Sequence, residues 1–254
     1  SKVAHATANS PKKFAIVTTV ILLVFAGFIT TLKASGISTT EGFTSRPDSL
    51  IGQDVLLEHF PGGQSQPTQI LITESKVSEA IAALKSIDGV SSVVPEVDGQ
   101  VLPGQPMPAI KVINGKVVLD ATLNVPADSK EGRNLVPVIR DAVHSIDSQS
   151  LVGGISATFY DLNVVAAHDR NLIIPIVLFL IAIILGLLLR SIVAAVVLLV
   201  TVILSFVATL GVSALVFNHI FGFAGADTGF PLFTFIFLVA LGIDYNIFLM
   251  TRVR

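Results

Sequence analysis

An aspartate and a tyrosine stand next to each other in the last apolar run of the chain, at Asp244 and Tyr245. The run extends from Pro231 to Thr251, about 21 residues, which at about 1.5 Å per residue is long enough to cross a bilayer core. A carboxylate at that depth costs about 2.5 to 3.5 kcal/mol on insertion scales, so intramembrane acids usually serve a function. We expect Asp244 either to fix helix packing through a hydrogen bond or, the favoured interpretation, to relay protons with Tyr245 as its hydrogen-bonding partner.

Residues one helical turn before and after Asp244 share its face of the helix. They are expected to pack around the relay, and they are Ala240, Leu241, Ile247 and Phe248.

A second candidate feature is a stripe of hydroxyl side chains that recur every four residues in the preceding apolar run. Its members are Thr201, Ser205, Thr209 and Ser213. Small and hydroxyl residues let membrane helices approach closely and form hydrogen bonds between them, so the stripe predicts helix packing. A sharper hypothesis is that the stripe contacts Asp244.

Four apolar runs are long enough to be transmembrane helices, at residues 14–32, 171–189, 192–217 and 230–251. The first follows a polar N-terminus, residues 1–13, and its length favours an uncleaved anchor over a signal peptide. Only Arg190 and Ser191 separate the second and third runs, which predicts a tight hairpin, and residues 218–229 lead to the fourth. Pro175 near the start of the second run indicates either a hinge or a helix start.

Residues 33–170 differ from the rest, with charges of both signs and alternating apolar stretches, and they predict a soluble domain inserted between the first two helices. A helix is expected over Pro47 to Phe60. The pattern then predicts the order βαββαβ, with strands at 69–74, 90–97, 116–125 and 155–160. The intervening helices are expected at 76–87 and from an N-cap at Asp128 or Ser129 to about Ile146. This is the ferredoxin-like plan, so the fold class is an α+β membrane protein.

Composition excludes several function classes. Apolar residues make up 52% of the chain and charged residues 13%, which is typical of an integral membrane protein. The net charge of −2 provides no basic surface for nucleic acid, and the absence of cysteine excludes thiolate chemistry. The five histidines have no metal-ligand spacing, and the glycine pairs lack a phosphate-binding frame. We therefore expect no metal, no cofactor and no enzymatic activity.

Basic residues give the orientation. With alternating helices, the lysines and arginines near the helix ends fall on one side, namely Lys2, Lys12, Lys13, Arg190, Arg252 and Arg254. This is the positive-inside pattern of a multi-pass plasma-membrane protein, and it predicts a cytoplasmic N-terminus and an extracytoplasmic soluble domain.

The segment Gly242-Ile243-Asp244-Tyr245-Asn246-Ile247-Phe248-Leu249, followed by Arg252 and Arg254, resembles the fourth transmembrane helix of the MMPL family in the resistance-nodulation-division superfamily. The resemblance implies twelve transmembrane helices in two similar halves, of which this chain corresponds to most of the first. It also implies a porter subdomain, and a second half that supplies a pairing Asp-Tyr for proton passage.

The resemblance and the buried acid together predict proton-driven export of lipid or other amphiphilic molecules, with membrane lipids as partners and a homo-oligomer left open. Exposing a dodecyl chain to water costs about 10 kcal/mol at about 0.8 kcal/mol per CH₂, whereas one charge crossing about 100 mV yields about 2.3 kcal/mol. An apolar groove that shields the substrate is therefore expected in the outer domain. The alternatives are a membrane-embedded lipid sensor or scaffold, and a proton-driven secretion accessory.

Overall fold

The computed structural model of this chain describes the backbone of residues 10–99 and 108–253, and the side chains of these residues up to Gly242. The chain forms two compact units. One is Ile37–Val164, and the other combines Ser1–Gly36 with Val165–Arg254.

The unit Ile37–Val164 contains a four-stranded antiparallel sheet. Its strands are β1 (Thr68–Thr73), β2 (Val90–Pro95), β3 (Lys116–Leu123) and β4 (Leu151–Gly153), in the spatial order β2-β3-β1-β4. Side chains of β3 alternate strictly between buried and half-buried, as expected for a strand with one face on the core. The apolar sheet residues with the lowest exposure are Ile70, Ile72, Val117, Leu119, Ala121 and Leu123.

The other unit begins with helix α1 (Pro11–Gly27). Three α-helices belong to the same unit as the sheet, α2 (Asp48–His59), α3 (Val77–Lys85) and α4 (Lys130–Ile146). Both α3 and α4 contribute to a single core with the sheet, through Ala80, Leu84, Ile139 and Val143. Ser129 is the N-cap of α4, as one of the two predicted caps, and its Oγ accepts a hydrogen bond from the Gly132 amide at 3.0 Å. Helix α2 has no buried residue.

The predicted last strand, residues 155–160, is wrong. The strand is Leu151–Gly153, and Ile155 begins α5, which continues through Leu189. Gly154 has φ +92°, and a Cβ there would lie 2.9 Å from the Pro67 carbonyl oxygen, so glycine permits the turn from strand to helix. Six residues are too few to distinguish a strand from the first turns of a helix by periodicity.

Helix α5 also changes the expected domain boundary at residue 170, because it begins 15 residues earlier and is continuous across it. Pro175 lies inside this helix, so its interpretation as a helix start is wrong.

Three helical segments are long and apolar enough to cross a membrane among the residues that the structure describes. They are α1 (Pro11–Gly27) with the 3₁₀ turn Phe28–Thr31, α5, and α6 (Ile192–Leu215) with the π-helical turn Val216–Phe221. Helix α7 (Phe230–Val253) has 24 residues, and its part up to Gly242 is a shorter apolar helix.

Helices α5 and α6 are joined by the predicted two-residue connection. Arg190 adopts φ 50°, a left-handed conformation that reverses the chain, and the Ser191 hydroxyl accepts a hydrogen bond from the Ala194 amide at 3.3 Å to cap α6.

Helix α6 is the centre of the membrane unit. On one side it packs against α7, where Phe206 and Phe235 meet edge to face with ring centroids 5.3 Å apart. On the other side Gly211 faces the backbone of α1, and a Cβ at this position would lie 1.8 Å from the Phe25 carbonyl oxygen. The absence of a side chain at Gly211 therefore sets the distance between α1 and α6.

Candidate functional site

An open apolar groove of about 720 Å³ runs along α7 beside α6. Two hydroxyl side chains, those of Ser205 and Thr234, are its only polar side chains among the residues described. Its other lining residues are Phe230, Phe233, Phe237, Leu238, Leu241 and Gly242.

Helical periodicity explains the groove. Residues 230, 233, 234, 237, 238 and 241 follow the spacing i, i+3, i+4, i+7, so they form one face of α7. The opposite side carries Phe235 and Val239, which are 1% and 5% exposed in the core with α6. Helix α7 is therefore held on one side and presents an apolar face on the other.

The open face exposes large apolar side chains. Phe233, Phe237 and Leu241 are 62%, 67% and 64% exposed. In a membrane helix such a face contacts either lipid or another helix, and both fit an apolar surface with few polar groups.

The backbone of α7 continues as a helix past Asp244 and Tyr245. The side chains of these two residues, and those of Ile247 and Phe248, lie outside the described part of the structure. Of the predicted face around the relay, Ala240 and Leu241 are described, and both are exposed. Leu241 belongs to the end of the groove that leads toward position 244.

The structure separates the members of the hydroxyl stripe on α6. Ser205 lines the groove, whereas Thr201 and Thr209 donate hydrogen bonds to carbonyls of their own helix, at Leu198 (2.7 Å) and Ser205 (2.8 Å). Ser213 is half-buried. A hydroxyl that donates to a carbonyl of its own helix already has a hydrogen-bond partner within that helix. Contact between the stripe and Asp244 stays a prediction.

Two smaller hollows lie among the described residues of the unit Ile37–Val164. One, of about 260 Å³, lies where α2 ends and is lined by Gln53, Leu56, Leu57, Phe60, Pro61, Gly62, Gln64 and Ser65. The other, of about 420 Å³, lies on the sheet beside an ion pair between Lys111 and Glu96, whose Nζ and Oε1 are 2.7 Å apart. The first has both apolar and polar side chains in its lining, and an apolar substrate groove in this unit stays a prediction.

Sequence reasoning missed one polar constellation altogether. Arg140 of α4 grips Asp161 of α5 with two parallel hydrogen bonds, Nη1 to Oδ1 at 2.7 Å and Nη2 to Oδ2 at 2.8 Å. The two residues are 21 positions apart and lie on different helices, and no spacing rule in the sequence relates a residue of α4 to a residue of α5. Among the described residues, no group of three His, Asp or Glu side chains forms a metal site.

Comparison with known proteins places these features in context. The sequence model of the MMPL family matches residues 48–254. The membrane protein ActII-3 of Streptomyces coelicolor is 38% identical over 255 residues, covering all of this chain and 34% of that protein. The apo-petrobactin exporter of Bacillus anthracis is 30% identical over 84% of this chain and 28% of its own length.

A third relative matches a shorter stretch. The sulfolipid-1 exporter MmpL8 of Mycobacterium tuberculosis is 37% identical over 108 residues, which is 42% of this chain and 10% of that protein. The chain spans about a third of the length of the relatives that it matches from end to end.

Proposed function

We propose, given that this chain belongs to the MMPL family, that it forms part of a proton-driven exporter of lipids or other amphiphilic molecules. The family and the apolar helices make it a membrane protein. Two relatives are named as exporters, of sulfolipid-1 and of apo-petrobactin, and these names point to transport and not to an enzymatic reaction. The observation that supports the proposal is the open apolar groove of α7, whose described lining ends at Gly242, two residues before Asp244.

Four transmembrane helices and an extracytoplasmic ferredoxin-like porter subdomain are part of the proposal. The 24 residues of α7 correspond to about 36 Å of helix, enough for a fourth span. The strand order β2-β3-β1-β4, with all pairs antiparallel and α3 and α4 in one core, supports the ferredoxin-like assignment. The basic residues of the two-residue hairpin and the N-terminus support an outward soluble domain and a plasma-membrane location.

The proposed proton relay is Asp244 with Tyr245. Positions 244 and 245 come three and four residues after Leu241 on a continuous helix, which supports a relay on the continuation of the groove face. The high exposure of Phe233 and Phe237 fits a second homologous half that docks on this face and contributes its own Asp-Tyr pair. Ile247 and Phe248 would then pack one turn beyond the relay.

Energetics explain why an exporter needs such a surface. One charge moving down about 100 mV supplies about 2.3 kcal/mol, far less than the cost of exposing a long acyl chain to water. The substrate must therefore stay in contact with apolar surface throughout, and the proton serves to change the conformation of the protein.

The test is Asp244→Asn in the full chain, reconstituted in vesicles with a pH gradient. Export of a fluorescent dodecyl-chain lipid and internal pH are followed together, with Asp141→Asn, an exposed acid on α4, as the matched control. We expect Asp244→Asn to abolish both signals and the control to preserve both. Gradient-coupled export by the Asp244→Asn variant would refute the relay. A lipid response without export in the unaltered protein would instead favour a sensor or a secretion accessory.

A further inference from the structure

The first turns of α5 are bound tightly to the sheet. The hydroxyls of Thr68 on β1 and Ser156 on α5 are 2.7 Å apart, and both residues are fully buried. Ala157 beside them is 2% exposed, and the Gly154 backbone passes too close to Pro67 to allow a side chain. The base of α5 is thus fixed at one point.

Arg140 provides a second point of attachment, five residues further along α5. Besides its paired bonds to Asp161, its Nη2 lies 3.5 Å from the Val152 carbonyl oxygen on β4, and its Cζ lies 5.7 Å from the centre of the Tyr160 ring. The guanidinium therefore joins α4, β4 and α5. A two-point attachment fixes the direction of a helix, whereas a single point leaves it free to pivot.

Stability alone is a weak explanation for this arrangement. The side chains of Arg140 and Asp161 are 26% and 52% exposed, and ion pairs at such positions contribute little to folding free energy. Their bidentate geometry contributes orientation, because a planar guanidinium holds a carboxylate in one relative position.

Beyond Asp161 the character of α5 changes. Leu162, Val164 and Val165 are 54%, 50% and 54% exposed, yet the helix continues without interruption to Leu189. From Asp161 to Pro175 is about 21 Å of helix at 1.5 Å per residue. A small change in direction at Arg140 therefore becomes a displacement of ångströms where the apolar run of α5 begins.

We propose that Arg140 is a positioning residue whose clamp on Asp161 makes α5 turn together with the soluble domain, so that proton-driven movement of the helix reaches the domain. This inference rests on the proposed export function. Without the clamp, α5 pivots at Ser156 and the proton movement is no longer converted into export.

The test compares Arg140→Ala and Asp161→Asn with the charge exchange of Arg140→Asp and Asp161→Arg in one chain, all in the full protein in vesicles. Arg46→Ala, which removes the exposed ion pair of Arg46 with Asp54 elsewhere in the same unit, is the control. We expect each single variant to lower lipid export relative to proton uptake by about fivefold or more, the lower end of typical coupling between sites. The charge-exchange variant should recover much of the ratio of lipid export to proton uptake, and Arg46→Ala should leave this ratio unchanged.

The ratio distinguishes coupling from folding, since a loss of folded protein lowers export and proton uptake equally. A second measurement uses the absence of cysteine from these 254 residues. Arg140→Cys with Asp161→Cys should lower the ratio of lipid export to proton uptake. A short bis-methanethiosulfonate, which links the two thiols through two disulfide bonds and releases two methanesulfinates, should restore the ratio, and a reductant that cleaves these disulfides should lower it again. A bridge that blocks export would overturn the proposal, because the clamp would then have to open.

The two proposals fail separately. If Asp244→Asn stops export while Arg140→Ala exports at the unaltered ratio, the clamp is wrong and the relay stands. If Asp244→Asn still exports lipid when the pH gradient is present, the proposed relay is wrong. The proposed role of Arg140 is then wrong as well, because there is no proton movement to convert into export.

Discussion

Replacing Gly211 by alanine should separate α1 from α6. The added Cβ would lie 1.8 Å from the Phe25 carbonyl oxygen and 2.7 Å from its carbonyl carbon, and both are backbone atoms that cannot rotate away. Ordinary contact begins at 3.4 Å, so the helices must move apart by about 1.6 Å. The conflict lies at the closest approach of two membrane helices, where small residues are needed.

The expected cost follows from two opposing terms. Alanine gains about 0.5 to 1 kcal/mol over glycine inside a helix. Overpacking a close interface costs about 1 to 3 kcal/mol, and a backbone clash of this size belongs at the upper end. The net loss should be about 2 kcal/mol of unfolding free energy.

The assay is thermal unfolding of the purified protein in mild detergent. Gly186→Ala on α5 is the matched control, because its Cβ would meet nothing within 4 Å and should be neutral or stabilising. We expect a lower Tm for Gly211→Ala alone. A Gly211→Ala protein as stable as the Gly186→Ala protein would show that α1 and α6 do not approach in the way described.

Two further outcomes concern the unit Ile37–Val164. The Asp147 carboxylate accepts hydrogen bonds from the Thr73 amide (3.0 Å), the Thr73 hydroxyl (2.8 Å) and the Gln149 amide (2.9 Å), which hold its pKa below the ordinary 3.8. The contribution of Asp147 to stability is thus present above pH 3.8 and is lost as the pH falls through the lower pKa of the folded state. The melting temperature of Asp147→Asn should therefore fall less steeply with decreasing pH in this range than that of the unaltered protein. Parallel plots of melting temperature against pH would contradict this. Leu119→Ala empties a fully buried site on β3 and should cost about 2 to 5 kcal/mol in urea unfolding, and a loss under 1 kcal/mol, roughly, would mean that the core is packed differently.

The elements of the unit Ile37–Val164 follow from the local sequence pattern wherever that pattern is long enough. Strand β3 alternates over eight residues, and α4 carries an apolar stripe behind a serine cap, so both lie close to their predicted bounds. Strand β4 has three residues, and the six that follow read equally well as strand or helix. What decides between them is a buried contact between Thr68 and Ser156, 88 residues apart, which sequence pattern does not reveal.

Some features of the candidate site can likewise be predicted from the sequence pattern, and others cannot. The apolar face of α7 can be read from its spacing, and so can the approach of Gly211 to another helix in general terms. Which helix lies opposite, which hydroxyl of the stripe reaches the groove, and which arginine holds Asp161 depend on tertiary packing between distant segments. Asp244 and Tyr245 stay predictions based on residue type and depth.

The connection at Arg190 and Ser191 also bears on how the protein enters the membrane during synthesis. A connection of two residues is too short for α5 to cross the bilayer while α6 stays on one side of it. The two helices must therefore enter the insertion machinery together, as a helical hairpin. In the proposed orientation, the Arg190 guanidinium at the bend stays on the cytoplasmic side. Lengthening this bend would allow the helices to insert one at a time, and the order of their insertion would then depend on the apolarity of each helix alone.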